Sequence, residues 1–408
     1  MPQWKWEQGE ELIIFKVVIR KAIEFLLVDC VLLQSTVQRY ALSSTWQNYF
    51  LPYDCFVVSL HAEMTQHEID IMYMRRCLQL AAGGLGRVRP NPLVGCVVVS
   101  EVESGKWKVE SEGYHQCYGE WHAERNALLR NNPLPTSHFQ HSTLYVNLEP
   151  CSHHGHTPPC ADLIIEKGIR RVVCCNDDPN PLVGGNGFRK LEAAGIEVTR
   201  HVLEAEGREL NRRFFTFIEQ RRPYVILKWA ESADGFIAPS PNPLSGESEK
   251  LIHPTNHSPL LPGEGSGVRP PYWLSTQRQN RLNHRWRTEE AAILVGSETY
   301  LRDHPSLTAR HYLGPQPQPI VLDRRGRLSD VPAHWLHLRT QTVEQTLQAL
   351  YEQKLQSVIV EGGRQMLDAF IASGLYDEVR ILRSPQTLGS GLPAPTIPLD
   401  KRITWFRP

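Results

Sequence analysis

Hydrophobic and polar positions after Met64 alternate with two periods along the chain. Ile69, Met72, Cys77, Leu80 and Ala81 fall on one stripe at helical spacing, and Gly83-Gly84 closes it, which predicts a helix beginning near Glu68. Pro90-Asn91-Pro92 reads as a turn. Val94–Val99 reads as a buried strand with Lys106–Glu112 as its hairpin partner. A helix over Glu124–Arg130 follows, then a strand over Thr143–Leu148, a helix over Ala161–Lys167 and a strand over Arg171–Cys175. Phe188–Ala194 and Ile196–His201 add one more helix and one more strand. This alternation predicts a three-layer α/β domain over residues 65–203.

Residues 204–222 read as a connecting helix, with its pattern over Glu204–Gln220 and charge gathered on one side. A second α/β region spans residues 223–408. Its strands are expected at Tyr224–Trp229, Ala292–Val295, Ile320–Leu322, Ser357–Val360 and Glu378–Leu382. Pro239–Pro271 is rich in Pro, Ser, Gly and Asn and long for a loop, so it reads as a functional lid or a mobile insertion. Neither region repeats the other.

Residues 1–63 carry no domain pattern. Leu12–Leu33 is apolar, but Lys16, Arg20, Lys21, Glu24 and Asp29 make a membrane-spanning helix too costly. No clean apolar core with a small-residue cleavage site marks a signal peptide. The expectation is an amphipathic or poorly ordered leader, with the functional start near Met64.

Composition narrows the class. Lysine plus arginine equals aspartate plus glutamate at 44 each over 408 residues, so no net field draws the chain to nucleic acid or an anionic membrane. Apolar residues make up 41%, enough for packed cores. The 9 cysteines are an odd number spread along a large chain, which favours reduced thiols in a cytoplasmic protein over a disulfide framework.

Two motifs carry chemistry. His122-Ala123-Glu124 is followed by Pro150-Cys151 and, after eight intervening residues, by Cys160. One imidazole and two thiolates suit zinc, and three protein ligands leave a fourth position for water. Both segments fall at predicted strand-to-helix transitions, where helix N-termini favour thiolates. Glu124, two residues from a ligand, reaches the bound water and shuttles its proton to a departing amine. This matches the His-x-Glu and Pro-Cys pattern of zinc base deaminases, except that their second cysteine comes after two residues. A structural zinc site is the alternative. It wants a fourth protein ligand, for which His115, Cys117, His153, His154 and His156 are candidates. A deaminase of tRNA or single-stranded DNA would need a basic groove with stacking aromatics and leaves the second domain unexplained. A zinc-stabilised interaction module without activity is a further alternative.

Five segments then carry a family likeness. They are Arg89-Pro90-Asn91-Pro92-Leu93-Val94-Gly95, Gly113-Tyr114-His115, His122-Ala123-Glu124, Leu148-Glu149-Pro150-Cys151-Ser152-His153-His154-Gly155 and Asp178-Pro179-Asn180-Pro181. Together they resemble the bifunctional deaminase/reductase of riboflavin biosynthesis, from about Thr65 to the C-terminus, and that family has the eight-residue cysteine spacing. The resemblance implies a cytidine-deaminase-like three-layer domain followed by a dihydrofolate-reductase-like α/β domain. It implies one zinc on His122, Cys151 and Cys160, with Glu124 as proton donor. Asn91 stands where related deaminases hold the base; it is otherwise an ordinary turn residue. The substrate implied is a diaminopyrimidinone carrying a ribosylamino 5′-phosphate.

In the second half, Ile226-Leu227-Lys228, Ser232-Ala233-Asp234-Gly235, Trp273-Leu274-Ser275, Ile293-Leu294-Val295-Gly296, Asp303–Arg310 and Val360-Glu361-Gly362-Gly363 match the reductase. The resemblance implies NADPH contacts from Ala230, Trp273, Thr299, Asp303 and the segment beginning at Gly363, and substrate contacts from Arg287, Leu307, Arg310 and Glu361. No Gly-x-Gly-x-x-Gly fingerprint follows a strand, and this fold needs none. Glu361-Gly362-Gly363 ends a strand before a helix, where backbone amides can approach a phosphate. Arg287 and Arg310 are read as forked donors to the ribose phosphate. Lys228, on an apolar strand, must find an anion or polar ligand and is read as catalytic. His156 replaces a usual arginine, Pro271 a serine and His304 a frequent acidic residue, and the Pro239–Pro271 stretch is long for the family. A silent reductase half is therefore a third alternative. The partners expected are a small pyrimidine nucleotide and further copies of the chain, without nucleic acid or membrane.

Overall fold

The structure is a computed structural model that describes residues 64–398 and 402–406, except 104–105, 130–138, 156, 181–183, 240–273 and 275. The leader and almost all of the Pro239–Pro271 insertion lie outside the described residues.

Strand β1 (Gly95–Glu103) runs between β2 (Lys106–Tyr114) and β3 (Ser142–Leu148), antiparallel to both. Strands β4 (Arg171–Asn176) and β5 (Glu197–Thr199) extend the sheet in parallel, in the order β2-β1-β3-β4-β5. Alternate residues of β1 serve opposite faces, as a pleated strand requires. Val97 and Val99 pack with Ile69, Tyr73, Met74 and Cys77 of α1 (Gln66–Ala82). Cys96 and Val98 pack with α2 (Ala123–Leu129), α3 (Cys160–Glu166) and α4 (Asn186–Ala193). β3 is therefore buried along its whole length. Helix α1 starts two residues before the expected Glu68, because Thr65 and Glu68 form a reciprocal capping box.

One expectation is corrected. Glu204–Gln220 is not one helix but two, α5 (Glu204–Leu210) and α6 (Arg212–Glu219), joined at Asn211. The Asn211 side chain reaches across to the first domain: its Oδ1 accepts from Leu93 N–H at 2.7 Å and its Nδ2 donates to Leu93 O at 2.9 Å.

Seven of the described strands of the second domain belong together: β6 (Tyr224–Glu231), β8 (Ala292–Gly296), β9 (Gln318–Leu322), β10 (Leu336–Leu338), β11 (Ser357–Val360), β12 (Glu378–Arg383) and β14 (Arg402–Phe406). They form one sheet in the order β10-β9-β8-β11-β6-β12-β14, every neighbour parallel. The short β7 (Phe236–Pro239) and β13 (Gly391–Pro393) pair separately, antiparallel. One face packs on α9 (Val343–Glu352) and α10 (Arg364–Ser373), through Leu347, Leu350, Leu367 and Phe370. The other packs on Trp286 of α7 (Gln277–Glu289). After β6 the chain builds outward through β8, β9 and β10, then returns as β11 between β8 and β6. At such reversals ligands gather beyond the carboxyl ends of the strands. Helix α8 (Ser297–Asp303) begins directly after β8. No helix among the described residues is long and apolar enough to cross a membrane.

Helix α2 rides directly on the β2 backbone. A Cβ on Gly113 would lie 2.4 Å from Ala127 N and 2.6 Å from Ala123 O. Gly113→Val therefore forces α2, which carries Glu124, off the sheet. The expected cost is about 1–3 kcal/mol, the usual range for overpacking. The melting temperature should fall accordingly; an unchanged melting temperature would contradict this packing.

Candidate active sites

His122 immediately precedes α2, and Glu124 lies in its first turn. Cys151 follows β3 through Glu149-Pro150, and Cys160 is the first residue of α3. These three connections bring His122, Cys151 and Cys160 together, with their ligand atoms all within 4.8 Å of one another. His122 Nδ1 lies 3.6 Å from Cys151 Sγ and 3.5 Å from Cys160 Sγ. A tetrahedral zinc, with bonds of about 2.3 Å to sulfur and 2.0–2.1 Å to nitrogen, sets nitrogen and sulfur roughly 3.5 Å apart. The donor set thus fits zinc in size as well as chemistry.

Among the described residues no fourth His, Cys, Asp or Glu joins the group. His115 is committed elsewhere. Its Nδ1 lies 3.0 Å from Trp121 O and its Nε2 3.1 Å from Asn91 Nδ2. With Nδ1 protonated toward the carbonyl, Nε2 accepts from the Asn91 amide. Burial lowers the His115 pKa, and the neighbouring His122 adds to this, which keeps the ring neutral. Its ring meets that of His122 edge-on at 5.4 Å. Sequence reasoning placed His115 among possible metal ligands; the structure makes it the partner of Asn91 instead. His156 lies outside the described residues.

A hydrogen bond from the Cys160 thiol holds Cys151 well below the usual thiol range, assisted by His122 and by the Cys160 N–H at 3.4 Å. The bond to Cys151 and deep burial push Cys160 up. Metal binding therefore releases a proton. Burial raises the Glu124 pKa, and the nearby Cys151 charge reinforces the shift. Such a carboxyl, close to a metal centre, is suited to carrying a proton.

Glu149 organises the rim. Its carboxylate accepts from Gly185 N–H and Gly187 N–H, each at 2.9 Å, and from Asp178 N–H at 3.4 Å. This brings the Asp178-Pro179-Asn180 segment beside Cys151, and burial lifts the Asp178 pKa to about 6.

In the second domain Lys228 lies 3.6 Å from Glu361 Oε1, and Arg287 Nη2 donates to Glu361 Oε2 at 2.9 Å. Arg287 Nη1 donates to Thr308 O at 3.0 Å, tying in the segment that holds Leu307 and Arg310. Burial opposes charge on Glu361, but Arg287 and then Lys228 outweigh it and hold its pKa down at about 2. Burial lowers the Lys228 pKa against the pull of Glu361. Two Arg287 nitrogens are thus engaged by the protein, while its buried Nε has no partner among the described residues. Leu307 is buried in the left-handed region at φ 52°. Arg310 is exposed and donates to Ser306 Oγ at 2.9 Å.

Ala230 lies near the end of β6, Thr299 and Asp303 on α8 after β8, and Gly363 caps α10 after β11. These positions all follow or end neighbouring parallel strands. A Cβ on Gly363 would meet nothing within 4 Å, so a phosphate can approach the backbone amides at the N-terminus of α10. That cradle, beside a cation–carboxylate cluster, fits a nicotinamide dinucleotide. Trp273, Ser275 and Pro271 lie outside the described residues.

Residues 67–176 match the zinc-binding region of cytidine and deoxycytidylate deaminases, and residues 223–402 match the RibD C-terminal domain. The riboflavin biosynthesis protein RibD of Aquifex aeolicus is 36% identical over 354 residues, covering 80% of this chain and 89% of that protein. The chain belongs to the RibD family of riboflavin biosynthesis proteins. The Escherichia coli RibD is 34% identical over 79% of this chain and 89% of its own length. A crystal structure is also similar: the diaminohydroxyphosphoribosylaminopyrimidine deaminase/5-amino-6-(5-phosphoribosylamino)uracil reductase of Thermotoga maritima aligns with a TM-score of 0.65 at 34% identity, over 81% of this chain and 90% of that one. Both domains of the family are present, and they imply its two cofactors, zinc for the deaminase and NADPH for the reductase.

The metal assignment makes a sharp forecast. Cys151→Ser should lose zinc, while His115→Ala should keep one zinc per chain, read by metal analysis of the purified proteins. Zinc loss from His115→Ala with Cys151→Ser still loaded would reverse the assignment.

Proposed function

We propose that this chain performs two successive reactions of riboflavin biosynthesis. The first is hydrolytic deamination of 2,5-diamino-6-(5-phosphoribosylamino)pyrimidin-4(3H)-one. The second is NADPH-dependent reduction of its ribosyl chain to ribityl. The observation that carries the proposal is the pairing, in one RibD-family chain, of a three-ligand zinc site beside buried Glu124 with the Lys228–Glu361–Arg287 cluster.

His122, Cys151 and Cys160 hold the zinc. When bound, it supplies Lewis acidity that makes water a better nucleophile at neutral pH. Glu124 takes a proton from the attacking water, whose oxygen bonds to the ring carbon bearing the amine. It delivers that proton to the amine, the carbon–nitrogen bond breaks, and ammonia leaves. Asn91, oriented by His115, holds the pyrimidine with its remaining amide oxygen.

In the second reaction the carbon–oxygen bond of the sugar ring opens as the nitrogen lone pair forms a carbon–nitrogen double bond. Lys228 protonates the released ring oxygen. NADPH supplies hydride to the carbon of that double bond, leaving a secondary amine. Ala230, Trp273, Thr299, Asp303 and the segment from Gly363 hold the nucleotide; Arg287, Leu307, Arg310 and Glu361 hold the substrate. Glu361 keeps the Lys228 ammonium charged and aimed.

Residues 65–203 form the deaminase and 223–408 the reductase in this reading, joined by the two helices of 204–222, with 1–63 dispensable. The chain works in the cytoplasm as a homo-oligomer. Support for association comes from β2, a sheet edge with no outer neighbour among the described residues, where Val109 is 42% exposed.

Ammonia release and NADPH oxidation, followed separately, test both halves. Glu124→Gln should keep its zinc and lose ammonia release by about 10²–10⁴-fold, the usual contribution of a positioned acid–base group. Intact deamination in that variant would sink the role of Glu124. Lys228→Met should release ammonia normally but oxidise NADPH at a small fraction of the wild-type rate. A chelator should stop only the first reaction, with the already deaminated nucleotide still reduced.

A further inference from the structure

We infer that Gln356, a residue of the reductase domain, positions Asn91 for the deaminase reaction. Gln356 is buried just before β11, and its Nε2 donates to Pro90 O at 2.9 Å. Asn91 is the next residue. Gln356 is itself fixed in the reductase sheet, since its carbonyl accepts from Tyr224 N–H at 3.0 Å.

Three further contacts seat the same stretch. Arg89 donates to Glu290 O, beyond the last turn of α7. Gly86, at φ +80°, lies so close to α7 that a Cβ there would sit 2.2 Å from Thr288 O. On the far side of Asn91, both backbone polar groups of Leu93 are bonded by Asn211. Asn91 is tied to Val88 O through its own N–H at 2.8 Å and to His115 through its side chain, and anchors flank it at Pro90 and Leu93, the first supplied by the reductase. Gln356 thus adds a restraint on the direction in which the Asn91 side chain leaves the backbone.

Gln356 does not belong to the reductase chemistry. It precedes the amino end of β11, whereas Glu361 follows the carboxyl end, on the order of 16 Å along the strand. Losing its hydrogen bond should loosen Asn91 without disturbing Lys228 or Glu361. The inference rests on the reading that Asn91 holds the pyrimidine.

The test uses the full-length, zinc-loaded protein and Gln356→Met, which keeps the volume and removes the donor. The deaminase KM should rise about fivefold, the size of one ordinary hydrogen bond, with kcat within about twofold by the same measure of one lost contact. Zinc content and both reductase constants should stay unchanged. In an Asn91→Ala background, adding Gln356→Met should raise KM no further, because the two act through one contact. An unchanged KM, full additivity with Asn91→Ala, or an equal fall in reductase activity would each overturn the inference. If Gln356→Met does not fold, Gly86→Ala disturbs the same seat from the deaminase side; it should raise KM alike, and an unchanged KM there also overturns the idea. Should Asn91→Ala leave KM unaltered, the reading of Asn91 fails and takes this inference with it. A raised KM in Asn91→Ala beside a silent Gln356→Met removes only the inference.

Discussion

A carboxylate with no exposed surface persists only where cations are brought to it, and Glu290 gathers them from distant parts of the chain. Arg213, on α6, donates to it through Nε at 2.7 Å, and Arg380 of β12 lies 3.3 Å away. Arg380 in turn holds Glu378 at 2.7 Å. Burial opposes the Glu290 charge, yet Arg213 and Arg380 hold its pKa down at about 2. Arg89 of the deaminase domain then closes on its carbonyl. Connecting helix, reductase sheet and deaminase loop thus converge on one residue. Removing a single partner would leave a charge stranded in the interior, which typically costs several kcal/mol. The domain junction therefore has little freedom to slide.

The two candidate sites use the same side-chain type in opposite ways. Glu124 and Glu361 are both largely shielded from water. Glu124 has thiolate sulfur nearby, and its pKa moves up, so it can take and give a proton. Glu361 lies between two cations and its pKa moves down, so it remains a fixed anion. Environment alone separates an acid–base group from an electrostatic anchor. The first suits hydrolysis, where protons must travel. The second suits hydride transfer, where geometry must hold still.

Much of this was legible in the sequence wherever the signal was local. His122, Glu124, Cys151 and Cys160 sit at strand–helix boundaries that hydrophobic periodicity reveals, and the first sheet and five of the seven strands of the second follow the same rule, whereas β10 and β14 are not expected from it. What stayed hidden depends on partners far away in the chain. The junction at Asn211 is occupied by bonds to Leu93, 118 residues earlier, so periodicity alone reads one helix there. The Arg287–Glu361 ion pair joins residues 74 apart, and no local pattern predicts it. His115 looks like a ligand until Asn91 is placed against it. Strands β7 and β13, three or four residues each, are too short to show a period.

The four residues of β11 have duties at both ends. Gln356 before it faces the deaminase loop, and Glu361 after it faces the reductase cluster. Splitting this chain into two freely diffusing enzymes would be more than cutting a tether. A solitary deaminase would carry an open seam at Gly86–Pro90, with a peptide oxygen and a guanidinium left to water. It would need some other surface to take over that support. Covalent fusion here is a matter of shared scaffolding as much as of keeping consecutive catalysts together.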